Sequence, residues 1–286
     1  MRINKAMALL ALLIQPFLLW ARASGLPEES TVRPVLSAYT VELGSAHIAE
    51  TYLSPLRYSG WSVALAYERM QAMRFSPERW VMQLHGRIEA DRTLNPARNS
   101  AIWNASLSMG WAMMRRFRLE RNWDIFAGGA TGVDLGAYYS QRNSNNPVAA
   151  KASWTIGLQL AVAKQLNLGK LPVCLRYQTD IPLTGIFFSP QYGELYYEIY
   201  LGNHKGLVRG AWPGNFFRMN NLLTADLRFG ATTLRLGYRL GIHSSKASDI
   251  VTRHISHSAV VGICSEWISL SPRPRTDIPR IINSLY

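Results

Sequence analysis

The sequence has little cysteine, little charge and no long apolar run after its start, and each shortage excludes a class of protein. Two cysteines among 286 residues cannot hold together a small disulfide-stapled fold. Charged residues make up 17% and hydrophobic residues 48%, a composition that excludes an intrinsically disordered chain. After residue 25 no stretch holds 18 consecutive apolar residues, so we expect no transmembrane helix there.

The first 23 residues have the three parts of a secretory signal peptide. A basic start is followed by an uncharged stretch at residues 6–20 and by an A-x-A site that ends at Ala23. We expect cleavage before Ser24, because the run is shorter than a membrane span and Pro16 interrupts it. Cleavage removes three basic residues and no acidic one, which lowers the net charge from +13 to +10.

The remainder of the chain is dominated by alternation of apolar residues with small or charged ones, the period of a β-strand. Ten segments have this pattern: 39–49, 60–71, 79–91, 101–114, 122–136, 152–165, 171–181, 220–229, 232–243 and 254–268. Strands of soluble proteins average about 5–6 residues, whereas membrane-barrel strands need about 9–11. The lengths predict an all-β fold, a transmembrane antiparallel up-and-down β-barrel of about ten strands over 39–268, with twelve strands as the other possible count.

The connections between these segments alternate between long and short. Outer-membrane barrels have long outer loops, short periplasmic turns and both termini in the periplasm. We therefore interpret residues 24–38 as an N-terminal segment and residues 269–286 as a periplasmic tail, whose three prolines disfavour a central strand. The longest connection, 182–219, is rich in aromatic residues and is our candidate for a binding surface, with an aromatic lid that only closes the barrel as the equal alternative. Its candidate contacts are Tyr192, Tyr196, Tyr197, Trp212 and Phe216.

The two faces of the predicted strands differ in chemistry. One face carries charges that we expect to form a ladder of ion pairs inside a narrow lumen: Glu68, His85, Arg87, Glu89, Asp91, Asp124, Arg176, Asp180, Asp226, Arg228, Arg235 and Arg239. The other face is apolar and carries tryptophans near strand ends, as in the aromatic girdles of membrane proteins: Trp61, Trp80, Trp123, Trp154 and Trp267.

Few residues suggest catalysis. His243, Ser245 and Asp249 are weak candidates for a hydrolase site, which needs a hydroxyl, a base and an orienting acid. We favour the interpretation that His243 is an ordinary loop histidine beside serines. The histidines have no metal-ligand spacing, and we expect neither a metal nor another cofactor. A group of arginines at Arg115, Arg116, Arg118 and Arg121 is placed by this topology in a periplasmic turn, where it could contact lipid phosphates.

Three stretches resemble an uncharacterised family of outer-membrane β-barrel proteins from Gram-negative gut anaerobes, a domain of unknown function. They are residues 51–56 (TYLSPL), residues 188–193 (FSPQYG) with Tyr196-Tyr197-Glu198, and residues 264–268 (CSEWI). The resemblance implies a barrel in the cell outer membrane, and it implies no activity.

The leading prediction is a non-enzymatic outer-membrane barrel with a structural, binding or narrow-channel role in the cell envelope. The alternatives are a lipid A-modifying hydrolase and a soluble exported β-sandwich. The expected partners are outer-membrane lipids, lipopolysaccharide and the barrel-assembly machinery. Nucleic acid is not expected, because the chain is exported and has no nucleic-acid-binding signature.

Overall fold

The fold was obtained as a computed structural model, which describes residues 31–143, 146–230, 232–267 and 280–285. Its strands are β1 (Thr31–Val32), β2 (Val35–Glu50), β3 (Arg57–Ala72), β4 (Trp80–Leu94), β5 (Ala101–Leu119), β6 (Trp123–Ser140), β7 (Val148–Leu168), β8 (Leu171–Phe188), β9 (Val208–Ala211), β10 (Phe216–Phe229), β11 (Thr232–Ala247), β12 (Ile250–Trp267) and β13 (Arg280–Ile281). One short helix, α1, spans Tyr196–Tyr200. None of the described helical segments is long and apolar enough to cross a membrane.

Ten long antiparallel strands close into one barrel. The order is β10-β11-β12-β2-β3-β4-β5-β6-β7-β8, and β8 pairs with β10 to complete the ring. The C-terminal end of β8 pairs instead with the short β9, through residues 185–188 and 208–211. Closure leaves no free edge along most of the sheet, which is how barrels avoid unpaired backbone groups.

The described residues fall into two units. One contains the short strands β1 and β13, which pair in parallel. The other contains the barrel together with the final residues Ile282–Leu285.

The alternation in the sequence becomes the two faces of the barrel wall. On β2 the odd-numbered Tyr39, Val41 and Leu43 are exposed on the outside, whereas Leu36 and Glu42 are buried inside. The same division runs through the other long strands, with Trp61, Ile88 and Leu158 outside. Gly110 faces the lumen beside His85, and a Cβ at this position would clash with the His85 ring.

The predicted closed antiparallel barrel and its ten strands are confirmed, and the alternative of a β-sandwich is wrong. The boundaries differ from the prediction. The first strand begins at Val35, because residues 35–38, assigned to an N-terminal segment, alternate inward and outward and pair with β12 and β3. The longest connection is residues 189–215, shorter than predicted, since β8 and β10 both extend into the predicted loop.

Some predictions fall outside the described residues. The signal peptide and its cleavage between Ala23 and Ser24 lie there, as does most of the tail at 269–286.

Candidate functional site

The barrel has two ends with different connections. The end that holds the start of β2 and the end of β12 has connections 73–79, 120–122, 169–170 and 230–231. The opposite end has connections 51–56, 95–100, 141–147, 189–215 and 248–249. We call these the lower and upper ends, and the interior between them the lumen.

The lower end of the lumen is filled by apolar side chains. Its buried members are Leu36, Ala38, Met70, Val81, Met114, Phe126, Ala161, Ala163, Cys174, Cys264 and Leu285. Leu285 comes from the C-terminal segment, whose backbone oxygens accept hydrogen bonds from the wall. Arg116 Nη1 donates to Asn283 O over 2.8 Å and Gln165 Nε2 donates to Leu285 O over 3.0 Å. The end of the chain therefore lies inside the lower lumen.

Above this apolar layer is a group of four buried charges that we call the lower ion network. Glu68 accepts from Arg176 Nη2 and from Arg235 Nη1, each over 2.6 Å. Arg235 also holds Asp226 in a two-pronged contact of 2.7 and 2.8 Å. The network contains two acids and two bases, so its formal charge is zero. Such pairing is what makes buried charges tolerable.

Glutamines complete this layer. Gln83 Nε2 donates to Glu68 Oε1 over 2.8 Å and to Gln178 over 3.0 Å, and Gln159 donates to Gln83. All of these side chains are buried. Together with the four charges they join side chains from β3, β4, β7, β8, β10 and β11 across the lumen.

A second balanced group, the middle ion network, lies higher in the lumen. Glu42 accepts from Arg87 Nε and Arg239 Nε, each over 2.8 Å. Arg87 also donates to Glu89 Oε1 over 2.8 Å. Two carboxylates again face two guanidinium groups.

A chamber of about 140 Å³ lies above the middle ion network. Its wall combines apolar side chains with polar and charged ones, among them Glu89, Asn104, Ser106, Lys151 and His254. Lys151 Nζ contacts Glu50 Oε2 at 2.5 Å and Thr252 Oγ1 at 2.6 Å. This concave site with converging polar groups is the candidate functional site.

Two acids and one histidine meet beside this chamber. Glu89 and Asp91 are two apart on β4 and so share the lumen face, while His254 lies on β12. Ligand atoms from the three residues lie within 4.8 Å of one another. β2 and β3 lie between these two strands in the barrel order, so the group reaches across both of them.

Hydrogen bonds fix the orientation of this group. Asn104 Nδ2 donates to Asp91 Oδ2 over 2.8 Å, and His254 Nε2 lies 3.2 Å from the same oxygen. His254 Nδ1 is 3.2 Å from the hydroxyl of Tyr138. Among the described residues, Asp91 Oδ1 and His254 Nε2 are buried without a hydrogen-bond partner.

Aromatic residues from two connections cover the chamber. Tyr52 donates to Glu194 O over 2.6 Å, and the Tyr196 hydroxyl accepts from Ala150 N over 2.6 Å. The two rings meet edge to face at 5.9 Å, and Phe188 lies 6.4 Å from Tyr196. Burial raises the pKa of both phenols above the ordinary value, with Tyr196 and Glu194 adding to the effect at Tyr52. Both hydroxyls therefore stay neutral across the physiological range.

The predicted loop contacts separate into two groups. Tyr196 and Phe216 line the chamber, and Phe216 begins β10 instead of belonging to a loop. Tyr192, Tyr197 and Trp212 are well exposed on the upper surface and do not line it. Sequence reasoning could not separate the groups, because α1 and β9 decide which rings turn inward.

All twelve predicted lumen charges lie on the inward register, and they form distinct networks instead of one ladder. Asp180 lies 3.6 Å from Arg218, which also contacts Asp134. Arg228 shares the inward register near the lower end of β10. Sequence reasoning missed six further inward-facing residues: Glu42, Glu50, Asp134, Lys151, Arg218 and His254. Three of them fall on the inward side of a predicted segment, whereas Glu50, Lys151 and Arg218 lie just beyond the predicted strand ends.

The placement of the arginine group in a periplasmic turn is wrong for three of its members. Arg115, Arg116 and Arg118 belong to β5, and only Arg121 lies in the connection. Arg116 points inward, where it contacts Asp124 at 3.0 Å as well as the C-terminal segment. The strand runs beyond its predicted end because its pairing with β6 continues to Leu119.

The weak hydrolase candidates do not meet as a triad. His243 and Ser245 are two apart on β11 and both line the chamber. Asp249 lies in the β11–β12 turn with φ 63°. No hydrogen bond joins these three residues in the part of the chain that the structure describes.

The five predicted girdle tryptophans all lie on the outer register. Trp61, Trp123, Trp154 and Trp267 are exposed, and Trp80 is half-buried. Both cysteines are buried free thiols in the described part of the lumen.

One protein family matches most of this chain. The family model described as "Protein of unknown function (DUF3316)" matches residues 6–274. The comparison with curated proteins found no match.

Several solved outer-membrane barrels are similar in outline. The outer membrane protease OmpT from Escherichia coli aligns with a TM-score of 0.47 and 5% identity, over 85% of this chain and 99% of that one. The translocator domain of the autotransporter NalP from Neisseria meningitidis gives 0.39 and 13%, over 92% and 98%. The toluene transporter TodX from P. putida gives 0.27 and 10%, over 86% and 92%. Similarity this low carries no argument about activity.

Proposed function

Because the chain belongs to the DUF3316 family of proteins of unknown function, we propose its role from the barrel itself: an outer-membrane protein that binds a small ligand in a blind chamber at its outer end. The observation that carries the proposal is the difference between the two halves of the lumen. The upper half holds a chamber with polar and charged groups in its wall, whereas the lower half contains the lower ion network and the apolar layer with Leu285.

The outer surface supports a location in a membrane. Large apolar residues such as Leu43, Leu65, Ile88 and Leu160 are exposed around the barrel. A contiguous apolar surface of this kind on a closed barrel is typical of contact with lipid. By the usual orientation of such barrels, with termini and short turns in the periplasm, the chamber opens to the outside. The outward tryptophans then lie at the lipid headgroups.

Thiol labelling of intact cells tests the proposal. Ser106 lines the chamber, so Ser106→Cys should react with a small membrane-impermeant thiol reagent added outside. Cys174 and Cys264 lie in the lower apolar layer and serve as built-in controls that should stay unlabelled. Equal labelling of the native cysteines would indicate a continuous pore and contradict the proposal. Labelling of Ser106→Cys only in opened cells, or not at all, would contradict it too.

Electrical recording gives an independent measurement. The purified protein in a planar bilayer should show no steady ion conductance, because guanidinium groups and carboxylates of the lower ion network bond to each other across the lumen. A stable conductance in the unmodified protein would show that this network leaves a path for ions and would overturn the blind chamber.

A further inference from the structure

The acid–histidine group beside the chamber contains one acid, Asp91, that pairs with no arginine or lysine among the described residues. The lower and middle ion networks each contain equal numbers of acids and bases. Asp91 differs, because in the described part of the chain its one charge-bearing partner at ion-pair distance is His254. Its side chain is fully buried. A buried carboxylate without a permanent cationic partner is costly unless a cation or proton accompanies it.

Two buried atoms of the group also lack partners. Asp91 Oδ1 and His254 Nε2 make no hydrogen bond to any described residue, and the 3.2 Å approach of Nε2 to Asp91 Oδ2 is too poorly aligned to count as one. Unsatisfied buried polar atoms in a native structure call for an explanation, such as a bound ion or water. Here the two atoms belong to residues whose ligand atoms converge within 4.8 Å.

The surroundings orient the three residues as ligands. The Tyr138 hydroxyl can accept a hydrogen bond from the Nδ1–H of His254. In that tautomer Nε2 keeps a free lone pair, the arrangement usual for a metal-bound histidine. Asn104 holds Asp91 through Oδ2 and leaves Oδ1 free. Arg87 and Ser62 both bond to Glu89 Oε1, so Oε2 is the oxygen that remains for a cation.

We propose that Glu89, Asp91 and His254 bind one divalent transition-metal cation, with Zn²⁺ as the best-fitting ion, in the wall of the outer chamber. One imidazole and two carboxylates suit Zn²⁺, and three protein ligands leave a coordination position for water or a small ligand. That position faces the chamber, because Glu89 and His254 both line it. The inference deepens the proposed function by naming the class of ligand that the chamber holds.

Cation binding can be measured on the full-length folded barrel in detergent micelles after removal of metals with a chelator. A competing surface site must be removed first, since His47 and His257 lie on the outer face with ring centres 6.5 Å apart. The test protein therefore carries His47→Asn and His257→Asn. Titration with Co²⁺, followed by its visible absorption, should show one bound equivalent that Zn²⁺ displaces.

Substitutions test which residues bind the cation. Asp91→Asn and His254→Gln should each lower Co²⁺ affinity at least about tenfold, the usual effect of losing support at a metal site. Glu42→Gln is the matched control: Glu42 is a buried carboxylate that shares Arg87 with Glu89 but is not in the group, so affinity should stay within about threefold. Cu²⁺ electron paramagnetic resonance of the test protein should show coupling to one imidazole nitrogen, which checks the site should a variant fail to fold.

The results also separate this inference from the proposed function. Absence of stoichiometric Co²⁺ binding, or binding that both ligand variants leave unchanged, would overturn the cation site whatever the thiol labelling shows. Conversely, binding in micelles does not depend on which side of a membrane the chamber faces. Failure of the labelling experiment would therefore reject the outward blind chamber while leaving the metal measurement intact.

Discussion

The lower and upper halves of the lumen are lined by the same ten strands and use their charges differently. In the lower half every charge of the ion network is matched, glutamines bridge the gaps, and an apolar layer lies beneath. In the upper half, charged residues surround a cavity, and the buried Asp91 pairs with no arginine or lysine among the described residues. The difference suggests that the lower half stabilises and closes the barrel, whereas the upper half has polar and charged groups that can bind a ligand.

Removing the shared acid of the lower ion network should have the largest effect. Glu68→Ala leaves Arg176 and Arg235 buried without their common carboxylate, and loss of one partner from a buried ion pair costs about 3–5 kcal/mol. Urea unfolding of the barrel in lipid vesicles measures the change in the free energy of unfolding. Glu120→Ala, at an exposed turn position, is the control and should change it by less than about 0.5 kcal/mol. Equal effects of the two variants would show that the lower half has no special role in stability.

Truncating the side chain of Leu285 to alanine should have an intermediate effect on stability. Leu285 is 1% exposed within the lower apolar layer, and replacing a buried leucine with alanine costs about 2–4 kcal/mol. Urea unfolding in lipid vesicles again measures the change in the free energy of unfolding. Leu201→Ala, at an exposed position in the long upper connection, should have almost no effect. A near-neutral result for Leu285→Ala would mean that the end of the chain does not contribute to the lower half.

Breaking the ion pair of the upper half should have the smallest effect. Lys151 contacts the buried Glu50, but its own side chain is 26% exposed, so water partly compensates for its loss. We expect Lys151→Ala to cost about 1–2 kcal/mol, between the values for exposed and buried pairs. Lys205→Ala in the upper connection is the matched control. A cost as large as that of Glu68→Ala would contradict the contrast between the two halves.

Much of the fold was predictable because a barrel wall is a local pattern repeated ten times. Alternation assigns each side chain to one face, and strand length distinguishes a barrel from a sandwich. Asp91, Arg176 and Arg235 could thus be placed inside from the sequence. Their partners could not, because the contacts of Glu68 with Arg176 and Arg235 cross the lumen between strands that are far apart in the chain.

The candidate site was less predictable for the same reason. Glu89 and Asp91 are recognisable as an inward pair on one strand, but His254 is distant in sequence and no local spacing connects it to them. The predicted strand ends at residue 114, which places Arg116 in the following turn. Its partner Asn283 O lies in the predicted periplasmic tail, whose prolines argue only against a central strand.

By itself the sequence determined the wall: ten long alternating strands, an apolar outside and a charged inside, since the face of each residue depends only on its neighbours along the strand. Only the tertiary structure decided what the lumen contains. Closure of the ring sets which inward side chains meet, places Leu285 at the bottom, and brings His254 to the two acids of β4. Those contacts depend on the barrel's circumference and stagger, which alternation along the chain does not specify.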